Sequence, residues 1–501
     1  MGWSVAEVSP IERQLRERWF SRIKRNERPF RKLRAMRRSG LVFSLLGFVV
    51  SSLVGAQTWT AVGPPGNPSI NALAVDPGTP TTLYAATTQG DLFVTTDAGA
   101  TWTMASANIV DVKSLVAFLP PASRDVPLLY EGTYGGGVLK SSDRGLTWVS
   151  ANNGLASLNV WSLAVTTQTG TLYAGTDAGV FRSTDNAASW VSVSAGLLEH
   201  RLVMSLSVSP SNPSTAFCVA EGTNILDVSL FRTTDGGAHW SSVRPSDQYR
   251  VFYTVATDPF FPDTVYAGFL YGPGDLGASG FGGLLKSTDG GRNWSDVSPS
   301  SGSNLSNFVT AIATDGTTPG RLYIGVDRGA GRSPLEGVFA TNDFGVHWSQ
   351  LKDPSVLHPT ALVVAPTAPS TVYAGTGSGI FQAVSETAGP CTPGATTLCL
   401  QASRFRVEAA WSVPAQGRAE VAQTMPITSN TGAFWFFDPT NLELVVKVLD
   451  GRSINGKFWV FYGSLTNVEF ALTVTDTQTG AVKTYLNPQG QLASVADTSA
   501  F

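Results

Sequence analysis

Ser287-Thr288-Asp289-Gly290-Gly291-Arg292-Asn293-Trp294 is one copy of a turn, S/T-x-D-x-G-x-x-W, that occurs six times in this chain. The other copies run from Asp97 to Trp102, Asp143 to Trp148, Asp185 to Trp190, Asp235 to Trp240 and Asp343 to Trp348. Successive aspartates are 46, 42, 50, 54 and 54 residues apart. A strand-rich unit with a period of about 40–55 residues marks a propeller, in which each unit buries its apolar face on the next. The residue types suit a tight turn. The carboxylate can accept backbone N–H groups a few residues on. Gly two residues later admits positive φ. Trp buries a large ring and can keep its N–H paired. The third copy has Ala187 in place of Gly, so its turn should be looser.

Three period-2 segments precede each turn, bounded by Gly, Pro and Asn clusters, as short strands are. The first segments are 70–77, 114–120, 160–166, 203–210, 252–259, 309–315 and 360–366. The second carry an L/V-Y-x-G core, as in Leu129-Tyr130, Leu322-Tyr323 and Val372-Tyr373, with Ala216-Phe217 in the fourth set. The third read Leu92-Phe93, Val180-Phe181 or Ile380-Phe381, and Trp opens a fourth strand after the turn. Seven such sets stand against six turns, because the set from Thr360 to Val384 has no turn or fourth strand after it. Gln57-Thr58-Trp59-Thr60-Ala61-Val62 resembles the missing strand. The expectation is an all-β chain: a seven-bladed β-propeller over residues 57–386, closed by its N-terminal strand so that no sheet edge is left free.

Of the 501 residues, the first 56 hold 12 Lys+Arg and 4 Asp+Glu, leaving 34 − 12 = 22 basic and 37 − 4 = 33 acidic residues in the remainder. An acidic body carries no electrostatic footprint for phosphates and argues against nucleic acid and anionic lipid. Residues 1–38 are basic and polar, residues 41–56 are uncharged and apolar, and Val54-Gly55-Ala56 offers small residues before Gln57. That order is a secretory signal peptide, with Met36 as the expected true start. An apolar run this short is brief for a membrane span. The chain is therefore expected to be secreted, periplasmic or on the cell surface, and membrane-anchored only if the signal stays uncleaved.

The repeated turns resemble the Asp-box, or BNR, repeats of sialidases, which also occur in sortilin-type receptors, xyloglucanase-type glycosidases and the photosystem II assembly propeller. The resemblance covers about 330 residues. It implies the propeller, but not one activity, because one fold hosts many. Sialidases carry the first arginine of their substrate-binding triad ahead of the first Asp box, and here residues 59–96 contain no arginine. Xyloglucanase-type enzymes place their cleft between two tandem propellers, and only one is read here. The seven-blade count matches the assembly-factor type, a binding protein. Six similar aspartates spread round a ring cannot face one substrate, so Asp97, Asp143, Asp185, Asp235, Asp289 and Asp343, with Trp102, Trp148, Trp190, Trp240, Trp294 and Trp348, are read as structural.

In a four-stranded blade the Asp turns share an end with the loops joining first and second strands. The opposite end is where a ligand should bind. Its loops carry Tyr134, Trp161, Asp177, Glu221, Tyr249, Arg250, Tyr271, Asp275, Asp327, Arg328, Arg332 and His358, together with His200, Arg201 and Phe308. Asp177, Glu221 and Asp327 are the candidates for a glycosidase acid/base pair, which requires two converging carboxyls. Otherwise acids beside aromatics suit binding of carbohydrate or protein. No histidine has metal-ligand spacing and no cofactor motif occurs, so neither metal nor cofactor is expected.

Residues 387–400 read as a linker in which Cys391 and Cys399 can close a small disulfide loop in an exported protein. Cys218 is left over as a buried thiol. Residues 401–501 alternate again, over 405–411, 419–424, 433–437, 442–449, 457–462, 468–475 and 482–486, with turns at Asp450-Gly451, Asn455-Gly456 and Thr479-Gly480. They suggest a small β-sandwich. The aromatics of 434–437 and 458–462 serve either its core or a sugar platform. The segment resembles C-terminal modules of varied secreted bacterial proteins, its closing Asp497-Thr-Ser-Ala-Phe501 included.

Overall fold

A computed structural model describes residues 59–109, 111–121, 126–197, 202–222, 228–243, 250–271, 282–299, 308–327, 336–351, 356, 358–366, 371–384 and 391–501. The signal segment and Met36 lie outside the described residues. The described chain is nearly all β.

Seven antiparallel four-stranded sheets follow one another, numbered 1 to 7 here in order of their first strands. In sheet 1 the strands are Ile70–Val75, Leu83–Thr87, Leu92–Thr95 and Thr103–Ser106, paired in that order. Sheets 2 to 6 repeat the pattern, with first strands at Val112–Phe118, Val160–Val165, Leu202–Val208, Arg250–Thr257 and Phe308–Thr314. Sheet 7 takes three strands from Ala361–Ala365, Thr371–Thr376 and Gly379–Val384, and its fourth from Thr60–Ala61. First strands touch in succession, and Ala361–Ala365 touches Ile70–Val75. This is the arrangement of a β-propeller.

The L/V-Y-x-G strands are buried throughout because each lies inside its sheet and between two neighbouring sheets; Tyr84, Tyr130, Tyr173, Tyr266, Tyr323 and Tyr373 are among the largest fully buried side chains. Neighbouring sheets are joined through tryptophan. Trp190 Nε1 donates to Ala151 O (2.7 Å), Trp240 to Val193 O (2.7 Å), Trp294 to Val243 O (2.9 Å) and Trp348 to Val297 O (2.7 Å). Each acceptor stands directly after the fourth strand of the preceding sheet. Trp102 donates to Val62 O, and Trp148 to Ser106 Oγ (3.1 Å). Trp59, which no Asp turn precedes, donates to Leu351 O at 3.1 Å. The N-terminal segment therefore gives one such bond to sheet 6 and receives one from sheet 1.

At each turn the Asp carboxylate accepts the Ser or Thr hydroxyl two residues before it and the backbone N–H four residues after it, as in Asp143 with Ser141 (2.7 Å) and Thr147 (2.9 Å). Side-chain hydroxyls of Thr101, Thr147 and Ser189 complete three copies and hold Asp97, Asp143 and Asp185 at about 2. The third turn is not looser. Ala187 adopts φ 65° and its N–H still reaches Ser183 Oγ at 3.0 Å. Elsewhere a methyl would collide with the preceding sheet: a Cβ on Gly291 would stand 2.7 Å from Val243, and one on Gly237 3.1 Å from Val193. At the third turn the corresponding neighbour is Ala151, which packs in the same cluster as Ala187.

Residues 391–501 form two five-stranded sheets. One holds Phe405–Val413 and Glu469–Asp476, and the other Leu444–Gly451 and Lys457–Ser464; Phe405, Trp411, Phe434, Phe436, Phe458 and Phe470 fill the space between. Cys391 and Cys399 are bonded, and Cys218 is a buried free thiol. The expected linker is shorter than its reading, because Leu398–Leu400 already pairs with Phe405–Val413. The expected strand 419–424 breaks into Arg418–Val421 and Gln423–Thr428, one in each sheet, and Ser494–Asp497 adds an edge. Strand alternation divides the aromatics: Phe434, Phe436, Phe458 and Tyr462 are core, whereas Trp435, Trp459 and Phe461 are half-buried.

Ala410, Ala419 and Ala471 of this region pack on Phe260, Phe261 and Phe344 at the Asp-turn end of sheets 5 and 6. Burial there raises Asp258 to about 6 and Glu469 to about 7. Part of the Asp-turn end is thus covered, which turns attention to the other end.

Candidate ligand-binding face

The end opposite the Asp turns is built from the starts of the first strands and the ends of the second. In sheets 1 to 6 the first strand slips register near its start, at Asn71, Lys113, Trp161, Met204, Tyr253 and Thr310. A bulge leaves one residue out of the ladder and re-aims its side chain. Trp161 was singled out by sequence for its chemistry. The sixfold recurrence of the bulge was not legible, because an extra residue leaves no mark of its own in an alternating pattern.

Across sheets 2 and 3, Tyr134 meets Trp161 edge-on at 5.4 Å between ring centres. Lys113 Nζ lies 5.9 Å from the Trp161 ring centre and pairs with Asp111 at 2.9 Å. Asn159 Nδ2 donates to Asp177 Oδ2 at 2.7 Å. Across sheets 4 to 6, Glu221 ends the strand Ala216–Glu221, and burial raises its pKa. Tyr253 is 39% exposed and stands 6.0 Å from Phe308. Its phenol is pushed up to about 12, first by desolvation and then by the charge of Glu221. The Arg250 guanidinium lies 4.6 Å from the Phe269 ring centre.

The third group contains a residue that sequence reading missed. His358 Nδ1 is 2.9 Å from Asp327 Oδ1, and its Nε2 is 3.1 Å from Glu336 Oε1. Glu336 belongs to no motif. It could have been found topologically, since Asp327 ends the second strand of sheet 6 and Gly337 begins the third, so one loop brings its two ends together. One ligand atom from each residue lies within 4.8 Å of the others, close enough to hold a cation. As the side chains stand, His358 Nδ1 is hydrogen-bonded to Asp327, and its Nε2 lies within ion-pair distance of Glu336.

Asp177, Glu221 and Asp327 are thus carried by sheets 3, 4 and 6, with different immediate neighbours. Tyr249, Asp275, Arg328, Arg332, His200 and Arg201 lie outside the described residues, as does the side chain of Tyr271.

No family model matches the chain, and no curated protein matches it. Among solved structures it is similar to the GH74 xyloglucanase from Xanthomonas campestris, at 16% identity and TM-score 0.48, over 87% of this chain and 81% of that one. It is also similar to YCF48 bound to D1 peptide, at 16% identity and TM-score 0.45, over 66% and 97%. The GH74 enzyme of Niastella koreensis gives 15% identity and TM-score 0.47, over 88% and 74%.

Proposed function

We propose that this chain is an exported, non-catalytic binding protein. Its seven sheets are the blades of one ring stapled by Asp boxes, its C-terminal region is a β-sandwich, and the face opposite the boxes takes a carbohydrate or protein ligand. The observation that carries the reading is that each candidate acid stands on a different sheet and is engaged by a different neighbour. Asp177 is occupied by Asn159, Glu221 lies beside Tyr253, and Asp327 is engaged by His358. A glycosidase needs two carboxyls about 5–10 Å apart with room for substrate or water between them. The acids that do approach, Asp327 and Glu336, are clasped by His358 and are 10% and 8% exposed.

That approach is the one feature favouring a glycoside hydrolase, since retaining enzymes hold their carboxyls about 5 Å apart. A glycan and peptide array, run with a turnover screen on polysaccharides, separates the readings. Binding without turnover is the expected result. Hydrolysis that disappears in Glu336→Gln would replace the binding reading with the enzymatic one.

A further inference from the structure

The slipped residues of the first strands do two different jobs. In sheets 6 and 1 they hold the next sheet. Thr310 Oγ1 donates to Pro359 O at 2.6 Å, and Asn71 Nδ2 donates to Val112 O at 3.1 Å. Thr360 occupies the same place in sheet 7 and donates to Ile70 O at 2.6 Å. In sheets 2 to 5 the same place holds Lys113, Trp161, Met204 and Tyr253. Met204 has no strong donor, and Trp161 Nε1 has no acceptor. In sheets 2 to 4 the bond between sheets passes instead to the serine one residue on. Ser114 Oγ accepts from Leu163 N (3.0 Å), Ser162 Oγ donates to Val203 O (3.4 Å), and Ser205 Oγ accepts from Val255 N (3.2 Å). That handover leaves Lys113, Trp161 and Met204 out of the bonds between sheets 2 to 5, and Tyr253 stands at the same place in sheet 5, 39% exposed.

We propose that the arc Lys113–Trp161–Met204–Tyr253 binds a neutral carbohydrate, a step that rests on the binding reading above and narrows its ligand. Aromatic rings offer rigid apolar surface to the C–H faces of a pyranose. The Asp177–Asn159 pair beside them carries acceptor and donor groups suited to adjacent hydroxyls. Lys113 is already paired with Asp111, and Asp177 and Glu221 add negative charge, so an anionic sugar is disfavoured.

The test is an array of neutral oligosaccharides (cello-, manno- and xylo-hexaose) beside a peptide array, followed by titration calorimetry on hits. Variants are Trp161→Ala, Tyr253→Ala and, on the stapling arc, Thr310→Ala. The expected result is binding of a neutral hexaose that falls about tenfold or more in Trp161→Ala and Tyr253→Ala, with melting temperatures near wild type. Thr310→Ala should melt earlier and bind as wild type. Peptide binding that fails in Trp161→Ala, without glycan binding, would overturn the carbohydrate assignment and leave the binding face standing. Binding unchanged in both aromatic variants, or no binding on either array, would overturn the arc and the face together.

Discussion

The two ends of the same seven sheets follow opposite rules. At the Asp-turn end one solution recurs: a carboxylate closes the turn, and a Trp N–H reaches the preceding sheet. At the other end a backbone slip shared by sheets 1 to 6 carries a different side chain in each of them. Repetition marks a job that every unit shares, which is holding its neighbour. Variation over a constant backbone marks a job done once, by the whole face.

The strongest way to break the repeated end is at its closure. Trp59 is 7% exposed, packs with Val338, Leu351 and Phe381, and donates to Leu351 O. Trp59→Ala should cost about 3–5 kcal/mol. Deleting residues 57–62 should cost more, because it also removes the acceptor of Trp102 and exposes the edge of Gly379–Val384. Urea denaturation would show this as a lower midpoint. A midpoint unchanged in the deletion would mean that the N-terminal strand does not close the ring.

Glu131 tests the interior between the two ends. It occupies the place of Ala85, Ala174, Ala267 and Ala374, is fully buried, and neither carboxyl oxygen has a partner. Burial raises it to about 8. The folded state therefore holds its proton more tightly than the unfolded chain does. The group's contribution is complete below the unfolded value near 4.5, falls as pH rises toward 8, and is lost above that. Wild type should lose on the order of 1–4 kcal/mol across this window through Glu131. Glu131→Gln should flatten that part of the pH–stability curve, measured as urea midpoints at pH 5, 7 and 8.5.

How legible each end was follows from the same contrast. The turns were readable because S/T, D, G and W stand at fixed offsets and every offset has a local cause. Even the missing seventh turn pointed to the N-terminal strand. The mouth was readable only as a set of loop residues. The group of Asp327, Glu336 and His358 depends on which chain ends meet, and the freeing of Trp161 depends on Ser162 bonding across to Val203. Neither relation is local. The division of Phe434 from Trp435 became clear only once the strand had two sides.

Within the repeated end, context should grade the aspartates. Asp289 is 5% exposed, and its carboxylate takes bonds from Ser287, Arg292 and Asn293. Asp289→Ala leaves buried donors without an acceptor and should cost about 1.5–3 kcal/mol. Asp143→Ala, at a more exposed turn where the carboxylate takes bonds from Ser141 and Thr147, should cost less. Because bonding lowers the Asp143 carboxyl from 3.8 to about 2, its contribution is present above the higher value and disappears as pH falls through the lower. Equal losses of melting temperature in the two variants would show that burial does not set the strength of these turns.

The finest test of the repeat rule is the copy that departs from it. Ala187 carries a methyl at φ 65°, where the other turns have Gly, and Ala151 stands where the turns after it meet Val193, Val243 and Val297. The two departures compensate each other in volume. Ala151→Val alone should overpack the junction and cost about 1–3 kcal/mol. Ala187→Gly alone exchanges relief of left-handed strain for a lost buried methyl and should stay within about 0.5 kcal/mol of wild type, since each effect is about 1 kcal/mol. The double variant recreates the Val–Gly pairing found elsewhere in the ring and should recover most of the loss. A double-mutant cycle in urea reads the coupling directly. Simple additivity would mean that the two residues do not share the junction, and that the third turn tolerates its alanine for another reason.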